Sequence, residues 1–212
     1  MSKHRAIAMS SLFPMFLKLA GRRCLVVGAG AIAGPKIESL LSAGAQVLVV
    51  APQASERVRQ LAAGGRVLWE ARDFRPADLA GIFLAVVATS SPETNDSVFR
   101  EAAGCGVLCN VVDDPERCDF YYPAVVRRGQ LQIAISTGGS SPALAQRIRK
   151  ELEQHFETEY EAWVEELARA RRELLRRQMH PTRRLLLLHG LASREAFREF
   201  TRRKRSAQGR PA

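Results

Sequence analysis

Long apolar runs are missing from this chain: none reaches the ~18–20 residues that a membrane-spanning helix needs, so no membrane partner is expected. The stretch Met1 to Pro14 has no long apolar core and no clear cleavage site, so it does not read as a secretory signal. Cysteine is scarce. The four residues Cys24, Cys105, Cys109 and Cys118 form no C-x-x-C pair, and Cys24 and Cys109 fall inside predicted strands as small buried hydrophobes. A reduced, cytoplasmic protein is the expectation. Histidine is equally sparse. His4, His155, His180 and His189 show no metal-binding spacing, so no metal site is expected. There is no nucleophile elbow and no Ser-His-Asp order, which argues against a serine hydrolase. No nucleic-acid motif appears, and no nucleic-acid partner is expected.

Acidic residues are also in deficit. The net charge is +10, and residues 141–212 carry +7 of it through 17 Lys/Arg and 10 Asp/Glu. Such a basic third attracts polyanions, although most of these arginines read as a solvated helical face.

What the sequence does have is a regular alternation of apolar runs and helical segments. Arg23 to Gly28 is a buried strand ending in glycine; residues 31–43 follow as a helix with Pro35 near its first turn, and Gly44 stops it. Gln46 to Ala51, Val67 to Glu70, Ile82 to Ala88 and Val107 to Val112 are further strands, with helices predicted over 54–63 and 92–103. This rhythm predicts an α/β fold, a Rossmann-type parallel sheet with helices on both faces. After Asp113 the pattern changes. Tyr121 to Val126 and Leu131 to Ser136 are β-prone, joined through Arg127-Arg128-Gly129-Gln130. Helices are predicted over 143–156, 160–179, 182–189 and 193–204, followed by a disordered tail from Ser206 to Ala212. The organisation expected is a dinucleotide-binding domain over 1–113, a small α+β dimerisation region over 114–141 and a helical domain over 142–212.

The chemistry concentrates in three places. Gly28-Ala29-Gly30-Ala31-Ile32-Ala33 is a G-x-G-x-x-A turn between a strand and a helix, the pattern that lets backbone amides and a helix N-terminus meet a pyrophosphate. The second strand ends in Pro52-Gln53 and not in the acidic residue that commonly holds the ribose hydroxyls of NAD. With Arg57 and Arg59 close by in sequence, the motif leaves both NAD and NADP open. Thr89, just past the fourth strand, is placed to face the cofactor, with helix capping by Ser90 or Ser91 as the plainer alternative. Asp113 lies past the fifth strand at the same sheet edge, where a carboxylate can exchange a proton beside the nicotinamide. Asp113-Asp114-Pro115 reads equally as turn chemistry. Ser136-Thr137-Gly138-Gly139-Ser140-Ser141-Pro142 offers amides, hydroxyls and a helix start for an anion, or simply a loop and cap with Ser141 as N-cap.

In combination and order these residues resemble the precorrin-2 dehydrogenases, which form the N-terminal module of siroheme synthase. The likeness runs from Phe16-Leu17-Lys18-Leu19 through Cys24 to Ala33 and Lys36, then Asn110 to Pro115, Phe120 to Ala124 and Ile135 to Ala143, spanning about residues 13–200. The resemblance implies NAD-dependent oxidation of precorrin-2 to sirohydrochlorin, with Fe²⁺ insertion in some members, by a homodimer. It implies cofactor contacts at Gly28, Gly30, Ala31, Ile32, Pro52 and Gln53, to which the strand-end argument adds Thr89. It implies a catalytic aspartate at Asp113, and the loop residues Ser136, Thr137, Gly138 and Ser140 are the candidates for the substrate's carboxylates. Two positions depart from the pattern: Ala29 stands where the family commonly has the middle of three glycines, and Thr137 replaces a serine while keeping its hydroxyl. The large domain that methylates uroporphyrinogen is not among these 212 residues, so that activity is not expected. Two other readings compete: a dehydrogenase of another small acid, and a non-catalytic dinucleotide sensor that binds DNA through the basic C-terminal third.

Overall fold

A computed structural model describes residues 12–208. These residues fall into two compact units that divide between Tyr122 and Pro123. Residues 114–122 thus belong with the first unit, and the segment from Pro123 belongs with the helices.

The first unit is a five-stranded parallel sheet in the order β3-β2-β1-β4-β5. Its strands are β1 (Arg23–Val27), β2 (Gln46–Val50), β3 (Leu68–Glu70), β4 (Leu84–Val87) and β5 (Leu108–Val111). Its three α-helices among the described residues are α1 (Ala33–Ser42), α2 (Glu56–Ala63) and α3 (Pro92–Gly104). Strands buried on both faces read as continuous apolar runs, and alternate residues separate into two cores. Cys24, Val26, Val47 and Val49 pack with Ile37, Leu40 and Val58 of α1 and α2. Leu25, Val27, Leu48 and Val50 pack with Val98 and Ala102 of α3. Both Cys24 and Cys109 are buried thiols as expected, and burial raises their pKa values to about 11 and about 12, which leaves them protonated and unreactive. Chain order reverses between β1 and β4, so the carboxyl ends of these two strands flank the position where open α/β sheets bind ligands.

Helix α1 begins two residues later than the sequence suggests. Ala31 and Ile32 belong to the turn, Ala33 is the first helical residue, and the Ala33 amide donates to the Gly30 carbonyl at 3.2 Å. Pro35 then occupies the third helical position, where no intrahelical amide partner is lost. Gly44 closes the helix at φ +80°.

In the second unit β6 (Ala124–Arg128) and β7 (Leu131–Ile135) form an antiparallel hairpin. Arg127 and Arg128 are therefore strand residues, and the turn is only Gly129-Gln130. Gly129 takes φ +56°, as the first position of a two-residue hairpin turn requires. Tyr121 and Tyr122 are not strand residues, because Tyr122 packs into the first unit's core with Phe120 beside it. Four helices follow: α4 (Pro142–His155), α5 (Glu159–Arg176), α6 (Pro181–Leu191) and α7 (Arg194–Gln208). Arg128 ties the hairpin to the end of α4, donating to the carbonyls of Glu153 and Phe156 at 2.9 and 2.6 Å. The helical core is aromatic, with Tyr160 and Phe197 rings 4.3 Å apart and Trp163 against Phe197 at 4.8 Å. The expected disordered tail is corrected here. Residues 206–208 continue α7, which Phe197 and Phe200 hold on its packed face, while 209–212 lie outside the described residues. No helix among the described residues is long and apolar enough to cross a membrane.

Candidate functional site

The glycine turn leaves β1 at the switch point, and its two glycines do different things. Gly28 sits at φ +98°, and its amide donates to the Val50 carbonyl at 2.9 Å. A Cβ at Gly28 would lie 2.3 Å from the Ala88 carbonyl oxygen, so β1 can leave the sheet beside β4 only if this residue has no side chain. A Cβ at Gly30 would meet nothing within 4 Å. No fold constraint keeps Gly30 small. The space it leaves open is what a pyrophosphate approaching the amides needs.

That space is a crevice of about 400 Å³. Its wall includes Gly28, Gly30, Pro52, Gln53 and Thr89, so the ends of β1, β2 and β4 converge as the strand order demands. Ala31 and Ile32 do not line it; Ile32 is 56% exposed on the turn. The wall contains no lysine or arginine, and its one carboxylate is Asp73. Arg57 and Arg59, the residues that left NADP open, are engaged elsewhere. Arg57 forms a two-pronged pair with Glu38 at 2.6 and 2.5 Å. Arg59 bonds the Ala54 carbonyl at 2.6 Å and Glu56 at 2.8 Å. A dinucleotide without a 2′-phosphate fits these walls better than one with it.

Thr89 lines the crevice and also organises the turn. Its hydroxyl sits 2.7 Å from the Asn95 side-chain oxygen and accepts from the Ser91 amide at 3.2 Å. The cap of α3 is Ser91, which accepts from the Thr94 amide at 3.1 Å.

Asp113 and Asp114 separate cleanly. The Asp114 amide closes the turn on the Val111 carbonyl, and its carboxylate pairs with Arg117 at 2.5 Å. Turn chemistry belongs to Asp114. Asp113 is exposed, makes no hydrogen bond or ion pair among the described residues, and takes φ +63°, the one positive φ of a non-glycine residue among them. Aspartate is one of the few side chains that takes this region readily, so the turn can hold Asp113 there with its carboxylate unengaged. It stands at the carboxyl edge of the sheet, because β5 pairs with β4 and the Val112 amide donates to the Val87 carbonyl at 2.9 Å.

In the second unit the loop between β7 and α4 has its own internal order. Ser136 accepts from the Gly138 amide at 3.1 Å and Thr137 from the Ser141 amide at 3.0 Å, while the Ser140 amide donates to the Thr137 carbonyl. Gly138 and Gly139 both take positive φ, and Ser141 caps α4 through the Leu144 amide at 3.3 Å. The four residues Ser136, Thr137, Gly138 and Ser140 are thus brought together in one loop.

Comparison with known proteins agrees with this architecture. A family model described as "Putative NAD(P)-binding" matches residues 15–124, and one described as "Sirohaem biosynthesis protein central" matches 128–155. A solved structure of SirC, precorrin-2 dehydrogenase, superposes with a TM-score of 0.74 at 30% identity, covering 91% of this chain and 98% of that one. The chain belongs to the precorrin-2 dehydrogenase family. Among curated relatives, a siroheme synthase of Neisseria meningitidis is 45% identical over 141 residues, which are 66% of this chain and 29% of that protein. Siroheme synthase 3 of Aeromonas hydrophila is 42% identical over 140 residues, 66% of this chain and 30% of the relative. The chain therefore spans about three tenths of the length of these curated relatives. NAD is the cofactor of the family's N-terminal module here.

Sequence reasoning missed two residues of the crevice wall. Asp73 and Phe74 enter the crevice wall from the loop after β3, which no local pattern announces because their position depends on strand order. Lys36, noted only as part of the resemblance, lies with its ammonium 3.7 Å from the centre of the Tyr122 ring.

Proposed function

We propose that this chain oxidises precorrin-2 to sirohydrochlorin with NAD⁺ as the oxidant. The observation that carries the reading is the pairing of a cation-free dinucleotide crevice with a carboxylate, Asp113, that has no hydrogen bond or ion pair among the described residues, at the same sheet edge. NAD⁺, when bound, takes up a hydride and leaves as NADH. The substrate loses that hydride and one proton, so two hydrogens leave and a carbon–carbon double bond forms. Gly28 and Gly30 shape the turn that receives the pyrophosphate, Ala31 and Ile32 carry the chain from it into α1, and Pro52, Gln53 and Thr89 border the rest of the dinucleotide. Asp113 is the base that accepts the proton, since a side chain already bonded to Arg117, as Asp114 is, has its acceptor capacity engaged.

Precorrin-2 is a macrocycle ringed with carboxylates. A chain of net charge +10 attracts it, and the loop of Ser136, Thr137, Gly138 and Ser140 is the candidate for its carboxylate groups, with the hydroxyl protons of Ser136 and Thr137 as donors, since both oxygens already accept from loop amides. A homodimer built on the hairpin region completes the reading, because two short strands leave unpaired edges. The free buried thiols suit a reducing compartment such as the cytoplasm.

The test is an anaerobic assay with precorrin-2 and either NAD⁺ or NADP⁺, following sirohydrochlorin by its absorbance. NAD⁺-dependent product formation is expected. No turnover with either cofactor, in protein that binds NAD⁺, overturns the proposal. Adding Fe²⁺ to the same reaction tests for siroheme formation by this chain.

A further inference from the structure

Lys36 is the fourth residue of α1, one turn beyond the glycine turn, yet it is not part of the crevice wall. Its side chain is half-buried and forms no ion pair among the described residues. Instead the ammonium rests on the face of the Tyr122 ring, 3.7 Å from its centre. Tyr122 is itself held by packing against the core on the α1 face of the sheet, together with Phe120 and Val112. The platform is therefore rigid, and the charge on it is pre-positioned. A cation–π contact offsets part of the cost of withdrawing an ammonium from water, but it leaves the outer N–H donors of the ammonium without a carboxylate.

Partial burial, the larger effect, pulls its pKa down, while the charges of Asp113 and then Cys118 push it back up. Arg57 and Arg59 are held by glutamates, and Arg117 is held by Asp96 and Asp114. Lys36 differs from them: it has no ion pair among the described residues, it feels the charge of the carboxylate that the dehydrogenase reading makes the base, and it lies outside the space for the dinucleotide.

We propose that Lys36 is a substrate-positioning residue, whose ammonium on the Tyr122 ring binds a carboxylate of the tetrapyrrole and so sets the reacting carbon against Asp113. The inference rests on the tetrapyrrole reading given above. An anion bound there completes the coordination of Lys36 and offsets the repulsion that a polycarboxylate meets from Asp113. The preformed site costs little ordering when substrate arrives.

The experiment measures binding separately from turnover. Sirohydrochlorin, the polycarboxylate product, is titrated anaerobically into wild-type protein and into the Lys36→Met, Lys36→Gln and Lys36→Arg variants. NAD⁺ is titrated in parallel, and thermal melting checks the fold. Loss of one charge-assisted contact raises the sirohydrochlorin Kd about tenfold in Lys36→Met and Lys36→Gln. Lys36→Arg recovers most of the affinity, and the NAD⁺ Kd stays at the wild-type value in all three. In steady state kcat/KM for precorrin-2 falls mainly through KM. Lys36→Gln keeps the stem and a polar tip, so it gives the answer should Lys36→Met fail to fold. Wild-type affinity for sirohydrochlorin in Lys36→Gln overturns the proposal. So does a selective loss of NAD⁺ binding, which assigns the ammonium to the pyrophosphate. A fall in kcat with KM unchanged also overturns it, because Lys36 then acts through Asp113. Wild-type protein that binds sirohydrochlorin but never oxidises precorrin-2 removes the enzymatic reading and leaves Lys36 in place as a tetrapyrrole ligand. Wild-type protein that does not bind it removes the Lys36 proposal.

Discussion

Adding one methyl group at Gly28 and, separately, at Gly30 should produce opposite failures. At Gly28 the backbone is at φ +98°, which costs a residue with a Cβ about 1–2 kcal/mol. The new Cβ also falls 2.3 Å from the Ala88 oxygen and 2.7 Å from the Ala88 carbonyl carbon. Neither atom yields easily, because the Ala88 amide is bonded to the Val27 carbonyl at 2.8 Å and so fixes β4 beside β1. Overpacking of this kind adds about 1–3 kcal/mol. Gly28→Ala is therefore expected to destabilise the fold by about 3 kcal/mol, a fall in Tm of roughly 6–12 °C for a domain of this size. At Gly30 φ is not positive and the methyl enters open space, so Gly30→Ala should melt within a degree or two of wild type. Its cost appears only when the dinucleotide is present. The methyl occupies the approach of the pyrophosphate, and a clash of about 1–3 kcal/mol weakens NAD⁺ roughly 5- to 150-fold. Gly30→Asp adds charge repulsion and should abolish binding. Thermal melts and NAD⁺ titrations of the three variants are the assay. Wild-type NAD⁺ affinity in Gly30→Ala and Gly30→Asp would place the pyrophosphate somewhere other than this turn. An unchanged Tm in Gly28→Ala would refute the account of Gly28.

Asp113→Asn keeps the residue's shape and its tolerance for positive φ, so it should lower precorrin-2 oxidation by ~10²–10⁴-fold without moving Tm or the NAD⁺ Kd. Asp114→Asn should instead lower Tm through loss of the Arg117 pair, and a dead but stable Asp114→Asn beside an active Asp113→Asn transfers the base by one residue. The buried Asp78 is grasped by Arg72 at 2.7 and 2.9 Å and by the Arg75 amide at 2.8 Å, and the Arg72 hydrogen bonds, chief among these contacts, hold its carboxyl below the usual carboxylate range. A depressed folded-state pKa stabilises the fold above the unfolded value of ~3.9, and this contribution disappears as pH falls through the folded value. Asp78→Asn should cost about 3 kcal/mol at neutral pH, and denaturation curves of variant and wild type should converge in acid below pH ~4; a gap that is constant across that range removes the electrostatic explanation. Sedimentation at micromolar concentration should show a dimer, and a monomer there ends the proposal that the hairpin region pairs two copies.

The amino-acid sequence by itself determined the alternating strands and helices of the first unit. Runs such as Leu25-Val26-Val27 and Leu48-Val49-Val50 have one stable use, as strands covered on both faces, and glycines at 28 and 44 punctuate them at the only backbone angles that fit. The family resemblance was legible for the same reason, since its motifs are turns whose residue types are dictated locally. Boundaries were less legible. Tyr121 and Tyr122 are β-prone by type, but packing of Tyr122 with Phe120 against the first unit's core outweighs that propensity, and α7 runs on through 206–208. Only the tertiary structure decided which side chains are already engaged. Adjacent aspartates are indistinguishable in sequence, yet hydrogen bonding commits Asp114 to Arg117 and leaves Asp113 open. Arg57 and Arg59 looked available for a 2′-phosphate until Glu38 and Glu56 were seen to hold them. Lys36 and Tyr122 lie far apart along the chain, and no periodicity joins them. Their contact exists because the segment after β5 returns across the α1 face of the sheet, an outcome of strand order that local sequence does not encode.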